Sequence, residues 1–227
     1  MKNIAKSHEM TMLRIRQAEQ KYGREPGSVK LLAVSKTRPV GEICAVRECG
    51  QLDFGENYVQ EAVDKILQIN DSRLIWHFIG PVQSNKTRLI AGHFQWVHSV
   101  DRIKIAQRLN DARPDHLSPL NICIQINISN EKSKSGIIPA DLPPLVMACS
   151  NLPRLKLRGF MALPEPAANK ESQRIPFRQV KMLLDSVNTP LLSLDSLSMG
   201  TTGDMDAAIA EGATFVRIGT AIFGARA

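Results

Sequence analysis

One lysine stands where an apolar segment stops. Residues 29–35 are mostly aliphatic, Lys36 follows them directly, and Pro39 prevents the segment from continuing as a strand. A strand here would place Lys36 at its carboxyl end, in apolar surroundings that disfavour the charged ammonium. Because the neutral amine is a nucleophile, the segment predicts a lysine that forms a Schiff base. A solvated lysine at a strand end is the alternative interpretation.

Two glycine- and hydroxyl-rich segments in the last quarter of the chain are typical of an anion site. They are Ser198-Met199-Gly200-Thr201-Thr202-Gly203-Asp204 and Arg217-Ile218-Gly219-Thr220-Ala221. Each follows a strand-like segment and precedes a helix start, where backbone N–H groups bind anions and glycine permits close approach. Two such turns in succession favour a phosphorylated ligand over helix capping by Thr202 and Asp204 alone.

Alternating strand-like and helix-like segments predict how these groups are positioned. Strands are predicted over 29–35, 52–55, 74–79, 94–98, 120–128, 155–161, 192–199 and 214–218. Helices are predicted between them, among them one over 175–187 before the seventh strand, and an extra N-terminal helix over 4–22 precedes the first strand. Eight βα units predict an α/β fold, a single (β/α)8 TIM-type barrel in one domain over 1–227. A doubly wound open sheet is the alternative.

Polar residues and glycines recur at the predicted carboxyl ends of the strands, where a barrel carries its site. They include Gly55-Glu56-Asn57, His77 with Gly80, and Asn127 with Ser129. His77 is a candidate for the pocket, and a hydrogen-bonded core histidine is a nearly equal alternative. Lys134, in the polar loop over 129–136, is expected to face solvent.

The composition limits the class of partner. The chain has 227 residues, 43% of them hydrophobic, and a formal charge of +7. Basic and acidic residues are interleaved, so we expect a small anionic ligand and no nucleic acid. Without a signal peptide or an apolar segment of about 18 residues, a cytoplasmic protein with no membrane partner is predicted. The four cysteines lack metal-binding spacing and fall in apolar segments, so they are expected to be buried free thiols.

Motifs over nearly the whole chain resemble one family. Besides the segments already quoted, they are Phe54-Gly55-Glu56-Asn57-Tyr58-Val59-Gln60-Glu61, Trp76-His77-Phe78-Ile79-Gly80 and Gln83-Ser84-Asn85-Lys86. By these motifs the chain is identified as a member of the pyridoxal 5′-phosphate homeostasis protein family. The resemblance implies pyridoxal 5′-phosphate as the cofactor and a single barrel like the N-terminal domain of alanine racemase.

The same resemblance implies roles for single residues. The matching positions are Lys36, Asn57, Met199, Gly200, Arg217, Gly219 and Thr220. Lys36 would carry the cofactor as an internal aldimine, and Arg217 would face the pyridine nitrogen. Gly219 and Thr220 would hold the phosphate, whereas the other three residues would line the pocket.

One segment departs from the family pattern, which usually reads Ser-Met-Gly-Met-Ser-x-Asp. This chain has Thr201 and Thr202 at the fourth and fifth positions. Thr202 keeps a hydroxyl that could bond a phosphate oxygen. Thr201 replaces an apolar side chain, so we expect a change in local packing rather than in the ligand.

Two classes of function compete for such a site. An arginine that stays charged and donates to the ring nitrogen weakens the electron sink on which pyridoxal phosphate enzymes depend. The sequence up to Ala227 also offers no second domain like that of alanine racemase. We therefore expect a monomeric carrier or regulator of the cofactor that has no turnover of its own. Its candidate partners are apo-enzymes that use the cofactor. The alternatives are a racemase-type enzyme completed by a partner chain and a Schiff-base aldolase that uses Lys36 without cofactor.

Overall fold

Parallel strands alternate with helices along the chain and close on themselves. The computed structural model describes residues 4–129 and 135–225, and within them eight strands form a closed barrel in sequence order. The strands are β1 (Lys30–Val34), β2 (Asp53–Glu56), β3 (Ile75–Phe78), β4 (Trp96–Val100), β5 (Leu120–Ile126), β6 (Leu155–Ala162), β7 (Ser196–Ser198) and β8 (Phe215–Ile218). β8 pairs in parallel with β1, with Phe215 opposite Lys30. The predicted single barrel is confirmed, and the open-sheet alternative is wrong.

Helices surround the barrel. In the described segments they are α1 (Ile4–Lys21), α2 (Val40–Glu48), α3 (Val59–Ile69), α4 (Thr87–His93), α5 (Ile103–Ala112), α6 (Leu142–Ser150), α7 (Lys170–Val187), α8 (Met205–Ala210) and α9 (Thr220–Phe223). Short 3-10 turns over Ser84–Lys86 and Pro139–Asp141 precede α4 and α6. The predicted N-terminal helix is α1, which packs against α8 and α9 and buries Ile15 and Ala18.

The strands bury both faces, which explains their long apolar runs. Along β5, Ile122 and Ile124 belong to the large apolar layer between the strands and the helices. Cys123, which points the other way, packs with Trp96 and other residues in a small cluster inside the barrel. Every second residue of a strand therefore points into the barrel interior, where polar side chains are few.

Two predicted elements differ from the structure. β7 covers only Ser196–Ser198, because a turn precedes it in which Ser193 has a positive φ of 47° and its N–H donates to the carbonyl of Thr189. The helix predicted over 175–187 begins earlier, at Lys170, where the side chain of Asn169 accepts a hydrogen bond from the N–H of Ser172. Pro176 lies inside this helix rather than at its start.

Some predictions lie outside the described residues or concern absences. Lys134 and the rest of 130–134, the centre of the predicted polar loop after β5, are not among the described residues. Within the described part of the chain, no helix is both long and apolar enough to cross a membrane. Nor do its His, Cys, Asp and Glu side chains form a group of three that could hold a metal ion. None of the four cysteines, all of them described, forms a disulfide, and the predicted burial holds for Cys123 and Cys149, whereas Cys44 is partly buried and Cys49 is exposed.

Candidate functional site

Two cavities open at the carboxyl ends of the strands, and Lys36 lines both. The first, of about 280 Å³, collects five of the predicted residues, namely Lys36, Thr202, Arg217, Gly219 and Thr220. The second, of about 350 Å³, brings Asn57 next to Lys36. The barrel thus gathers residues from opposite ends of the sequence around one lysine amine.

Lys36 points inward because of strand periodicity and is held by the turn that follows β1. Successive residues of a strand alternate between faces. Lys36 continues the inward-facing set that contains Leu32 and Val34, and Lys36 itself is partly buried. The N–H of Ser35 donates to the carbonyl of Gly55, which extends the pairing of β1 and β2 to the residue before the lysine. On its other side Thr37 has a positive φ of 62°, and its N–H donates to Glu61 Oε1 at 2.6 Å.

A buried ionic cluster beneath Lys36 fixes this turn. Lys65 Nζ on α3 donates to the carbonyl of Ser35 (2.8 Å), to Glu56 Oε1 (2.8 Å) and to Glu61 Oε1 (2.5 Å). The hydroxyl of Ser35 donates to the same Glu56 oxygen at 2.6 Å. Burial raises the pKa of Glu56, whereas Lys65 opposes the rise. All three protons of the Lys65 ammonium are used, so the backbone on both sides of Lys36 is tied to α3.

Arg217 is a buried cation on the floor of the first cavity. Its Nη1 donates to both the carbonyl and the hydroxyl of Ser198, the latter at 2.9 Å. Its Nη2 donates to the carbonyl of Ala162 at 2.9 Å. Burial lowers the pKa of Arg217 to about 10, so the guanidinium remains charged at neutral pH. It is a fixed hydrogen-bond donor that lies between β6, β7 and β8.

Two glycines allow the close packing around the first cavity. Gly200 has a φ of 93°, and a Cβ there would lie 2.6 Å from the Cβ of Ala208 on α8. A Cβ at Gly219 would lie 3.2 Å from the carbonyl oxygen of Val34.

Asp204 Oδ1 accepts from the N–H and the hydroxyl of Thr201, at 2.6 Å and 2.8 Å. The hydroxyl that replaces the family's apolar side chain is therefore satisfied within its own turn.

Three predicted residues do not line these cavities. Met199 is fully buried in the apolar layer, and Gly200 shapes the turn beneath the site. His77 is also fully buried, and its ring lies 2.9 Å from Asp53 Oδ1 and 2.9 Å from His98 Nε2. The placement of His77 in the pocket is corrected: it is the third residue of β3 rather than a residue of the strand's exit. The core-histidine alternative describes it.

Arg38 and Gln125 line the cavities although neither was predicted as a site residue. Arg38 lines the first cavity, and its Nη2 also donates to the carbonyl of Gly224. Gln125 lines the second cavity from β5. The signal for Arg38 was its place two residues after Lys36, and that for Gln125 was the period-two alternation of β5, which turns it inward with Cys123.

Known proteins share this architecture and sequence. The chain matches the family "Alanine racemase, N-terminal domain" over residues 14–227. The pyridoxal phosphate homeostasis protein of Pseudomonas aeruginosa is 56% identical over 100% of this chain and 97% of the relative. Its counterpart from Escherichia coli K12 is 51% identical, over 100% of this chain and 98% of the relative. PipY of Synechococcus elongatus, solved with pyridoxal phosphate bound, superposes with a TM-score of 0.81 and 35% identity, covering 92% of this chain and 100% of that one.

Fold and site together define a single-barrel protein of the alanine racemase N-terminal domain class. Within that class, the chain belongs to the pyridoxal phosphate homeostasis protein family. The family predicted from the sequence motifs is confirmed.

Proposed function

We propose that this protein binds pyridoxal 5′-phosphate through Lys36 and acts in the intracellular homeostasis of that cofactor, without amino-acid turnover of its own. The observation that carries the proposal is the convergence of Lys36, Arg217, Thr202, Gly219 and Thr220 on one cavity. The names of the curated relatives and the pyridoxal phosphate in the PipY structure support it.

The donor set of the site fits an aldehyde with a phosphate group. Lys36, Arg38 and Arg217 give the first cavity three basic side chains, and Thr202 and Thr220 add hydroxyl donors beside them. Phosphate oxygens accept charge-assisted hydrogen bonds from basic side chains and hydrogen bonds from hydroxyl groups. In the second cavity, Asn57 Oδ1 is buried without a hydrogen-bond partner among the described residues, so it is ready to accept from a bound molecule.

The residues of this chain would divide the work of holding the cofactor. Lys36 would hold it covalently through its amine nitrogen and the cofactor's aldehyde carbon. Thr202, Gly219 and Thr220 would orient the phosphate, and Arg217 would donate to the ring nitrogen. When bound, the cofactor supplies an electron sink, which depends on the protonation of that nitrogen. Arg217 would keep that nitrogen unprotonated, because a guanidinium donates and stays charged.

This division of work favours storage and delivery over catalysis. A covalent bond to one lysine would protect a reactive aldehyde. Its hydrolysis by water would return the lysine amine and the free aldehyde, which could then reach apo-enzymes that require it. We place the protein in the cytoplasm and expect it to act as a monomer. Both expectations follow from the sequence and are open to measurement by fractionation and by light scattering.

Borohydride reduction tests the central assignment. Reduction of the cofactor-loaded protein should leave a pyridoxyl group on the peptide that contains Lys36, and Lys36→Ala should abolish this adduct. Lys104→Ala, which changes an exposed lysine of α5, serves as the control and should not affect it. A pyridoxyl group found only on other lysines would refute the assignment.

A further inference from the structure

Polar side chains form a continuous line through the barrel interior. Asp53 Oδ1 lies 2.9 Å from His77 Nε2, and His77 Nδ1 lies 2.9 Å from His98 Nε2. His98 Nδ1 lies 2.7 Å from the hydroxyl of Ser198, to which Arg217 Nη1 donates. Asp53 is the first residue of β2, whereas Arg217 lines the first cavity. The line therefore joins the amino end of the barrel to the candidate site.

The donor at each link follows from its neighbours. A carboxylate only accepts, so His77 Nε2 carries a proton toward Asp53. In a neutral ring Nδ1 of His77 then accepts, which requires a proton on Nε2 of His98. Nδ1 of His98 in turn accepts from the hydroxyl of Ser198, and that hydroxyl accepts from Arg217, a residue that only donates. The Asp53 carboxylate sets this direction, and the Arg217 end is compatible with it because the Ser198 hydroxyl can accept from Arg217 while it donates to His98.

One added proton would reverse the two middle links. A doubly protonated His77 would donate from Nδ1 to His98, and His98 would donate from Nδ1 to Ser198. The surroundings oppose this state. Burial lowers the pKa of His77, although Asp53 acts against the shift, and Lys30 lowers it further. Burial also lowers the pKa of His98 well below its ordinary value, with contributions from His77 and Arg217.

The rings are packed too tightly to choose other partners. His77 stacks on Trp96, with ring centroids 5.6 Å apart and planes 12° apart. The edge of Phe215 contacts both His77 and His98 at centroid distances of 5.5 Å and 5.6 Å. Both histidines are fully buried. Because the surrounding walls are apolar, the hydrogen bonds of the line are the ones that the ring nitrogen atoms make to other described residues.

We propose that Asp53, His77, His98 and Ser198 are positioning residues for Arg217, joined in one directional hydrogen-bonded chain. The chain presents an oriented hydroxyl to the Arg217 guanidinium, whose other acceptors are the carbonyl oxygens of Ser198 and Ala162. Three of the five guanidinium N–H groups are thereby directed away from the cavity centre. The consequence for the cofactor ring rests on the proposed function, but the chain of hydrogen bonds does not.

Histidine-labelled protein without ligand provides the test. Long-range ¹H–¹⁵N spectra distinguish the two neutral tautomers from the doubly protonated ring. Single replacements of His8, His93 and His116 by Gln identify the resonances of these three histidines. The two resonances that remain belong to His77 and His98, whose hydrogen bonds are unchanged in these variants. Both His77 and His98 should be neutral and carry their proton on Nε2. A doubly protonated ring, or a proton on Nδ1 in either histidine, would overturn the proposal.

Asp53→Asn tests whether the residues act as one chain. The amide can donate to His77 Nε2, so the Nδ1-protonated tautomer should appear in His77 and His98 together, although Asn at this position does not touch His98. Asp71→Asn, which precedes β3 and pairs with Arg73 instead, should leave both rings unchanged. A change confined to His77 would contradict a continuous chain.

Ser198→Ala tests the end of the line at Arg217. This variant also provides a test if Asp53→Asn does not fold. Loss of the hydroxyl should speed hydrogen exchange of the Arg217 guanidinium by about tenfold or more. Ser196→Ala, on the same strand but bonded to Asp195, should leave the exchange rate unchanged. Unchanged exchange in Ser198→Ala would show that the chain does not position Arg217. Failure of cofactor binding would leave all of these measurements intact.

Discussion

At the scale of single residues, the site depends on how buried charges are paired. Lys36 carries the proposed covalent bond, yet its placement is set by Lys65 and Glu61, which bind the backbone on either side of it. Glu56 in turn accepts from the Lys65 ammonium and the Ser35 hydroxyl. Burying one member of such a cluster without its partners is strongly unfavourable. The cluster should therefore affect both stability and the geometry of the lysine.

Lys65→Met separates these effects. The variant leaves Glu56 buried without its cation, which should lower the free energy of unfolding by about 3–5 kcal/mol. It also releases the carbonyl of Ser35, so the affinity for pyridoxal phosphate should fall by about tenfold or more. Chemical denaturation and titration of the cofactor absorbance measure the two quantities. In the control, Glu56→Gln with Lys65→Met should regain stability without regaining affinity. Wild-type affinity in Lys65→Met would mean that the cluster only stabilises the barrel.

The proposed phosphate site makes a second prediction at this scale. Thr202→Ala removes one charge-assisted hydrogen bond, so the binding of pyridoxal phosphate should weaken by about 1.5–3 kcal/mol. Pyridoxal, which lacks the phosphate, should bind the variant and the wild type equally. Thr201→Ala is the matched control, because its hydroxyl already donates to Asp204. Equal loss for both ligands would place the phosphate elsewhere.

At the scale of elements, the sequence predicted the strands of the barrel better than the positions of polar residues inside it. Two-sided burial produced apolar runs in β5 and β8 that are recognisable without a structure. Period-two alternation also places His77 and Arg217 on the inner face. Depth within the barrel is not encoded in that alternation. His77 was therefore assigned to the mouth, although it lies one layer below, and its link to His98 depends on the register between β3 and β4.

Glu19 connects the end of α1 to the segment before β1, and this α1–β1 joint gives a prediction about pH. Glu19, almost fully buried near the end of α1, accepts from the N–H of Val29 at 2.7 Å and of Gly27 at 3.1 Å, and from Arg16. Burial acts to raise the pKa of Glu19, but these hydrogen bonds outweigh it and lower the pKa below its ordinary 4.5. Glu19→Gln should lower the free energy of unfolding at pH 7 by about 1.5–3 kcal/mol.

The sign of the pH effect follows from the direction of that shift. Since the folded-state pKa of Glu19 is depressed, its stabilisation is fully present above the unfolded value of 4.5 and is lost as the pH falls through the folded value. Urea titrations at pH 7 and at successively lower pH should show the gap between wild type and Glu19→Gln closing. Glu9→Gln, an exposed change on α1, is the control. A gap that stays constant with pH would mean that the carboxylate charge has no part in holding the joint.

At the scale of the whole molecule, the barrel surrounds one lysine with fixed donors, and the acceptors of the buried Arg217 among the described residues are a hydroxyl and two carbonyl oxygens rather than a carboxylate. Under the proposed function, this electrostatic arrangement would retain the cofactor while opposing carbanion stabilisation, because the ring nitrogen would face a cation that does not transfer its proton at neutral pH. The fold shared with alanine racemase is thus compatible with a different use of the same coenzyme.

The absence of turnover is the prediction that separates these uses. The cofactor-loaded protein should show no multiple-turnover exchange of the Cα hydrogen of L-alanine or L-serine in deuterated water. An alanine racemase assayed alongside, as the positive control, should exchange at enzyme-like rates, on the order of 1 s⁻¹ or faster. Mass spectrometry and chiral chromatography measure exchange and racemisation. Comparable rates for this protein would overturn the non-catalytic proposal, since they would require a proton donor for the ring or the substrate that Arg217 cannot be. Exchange that appears only with a second chain added would favour the racemase-type alternative instead.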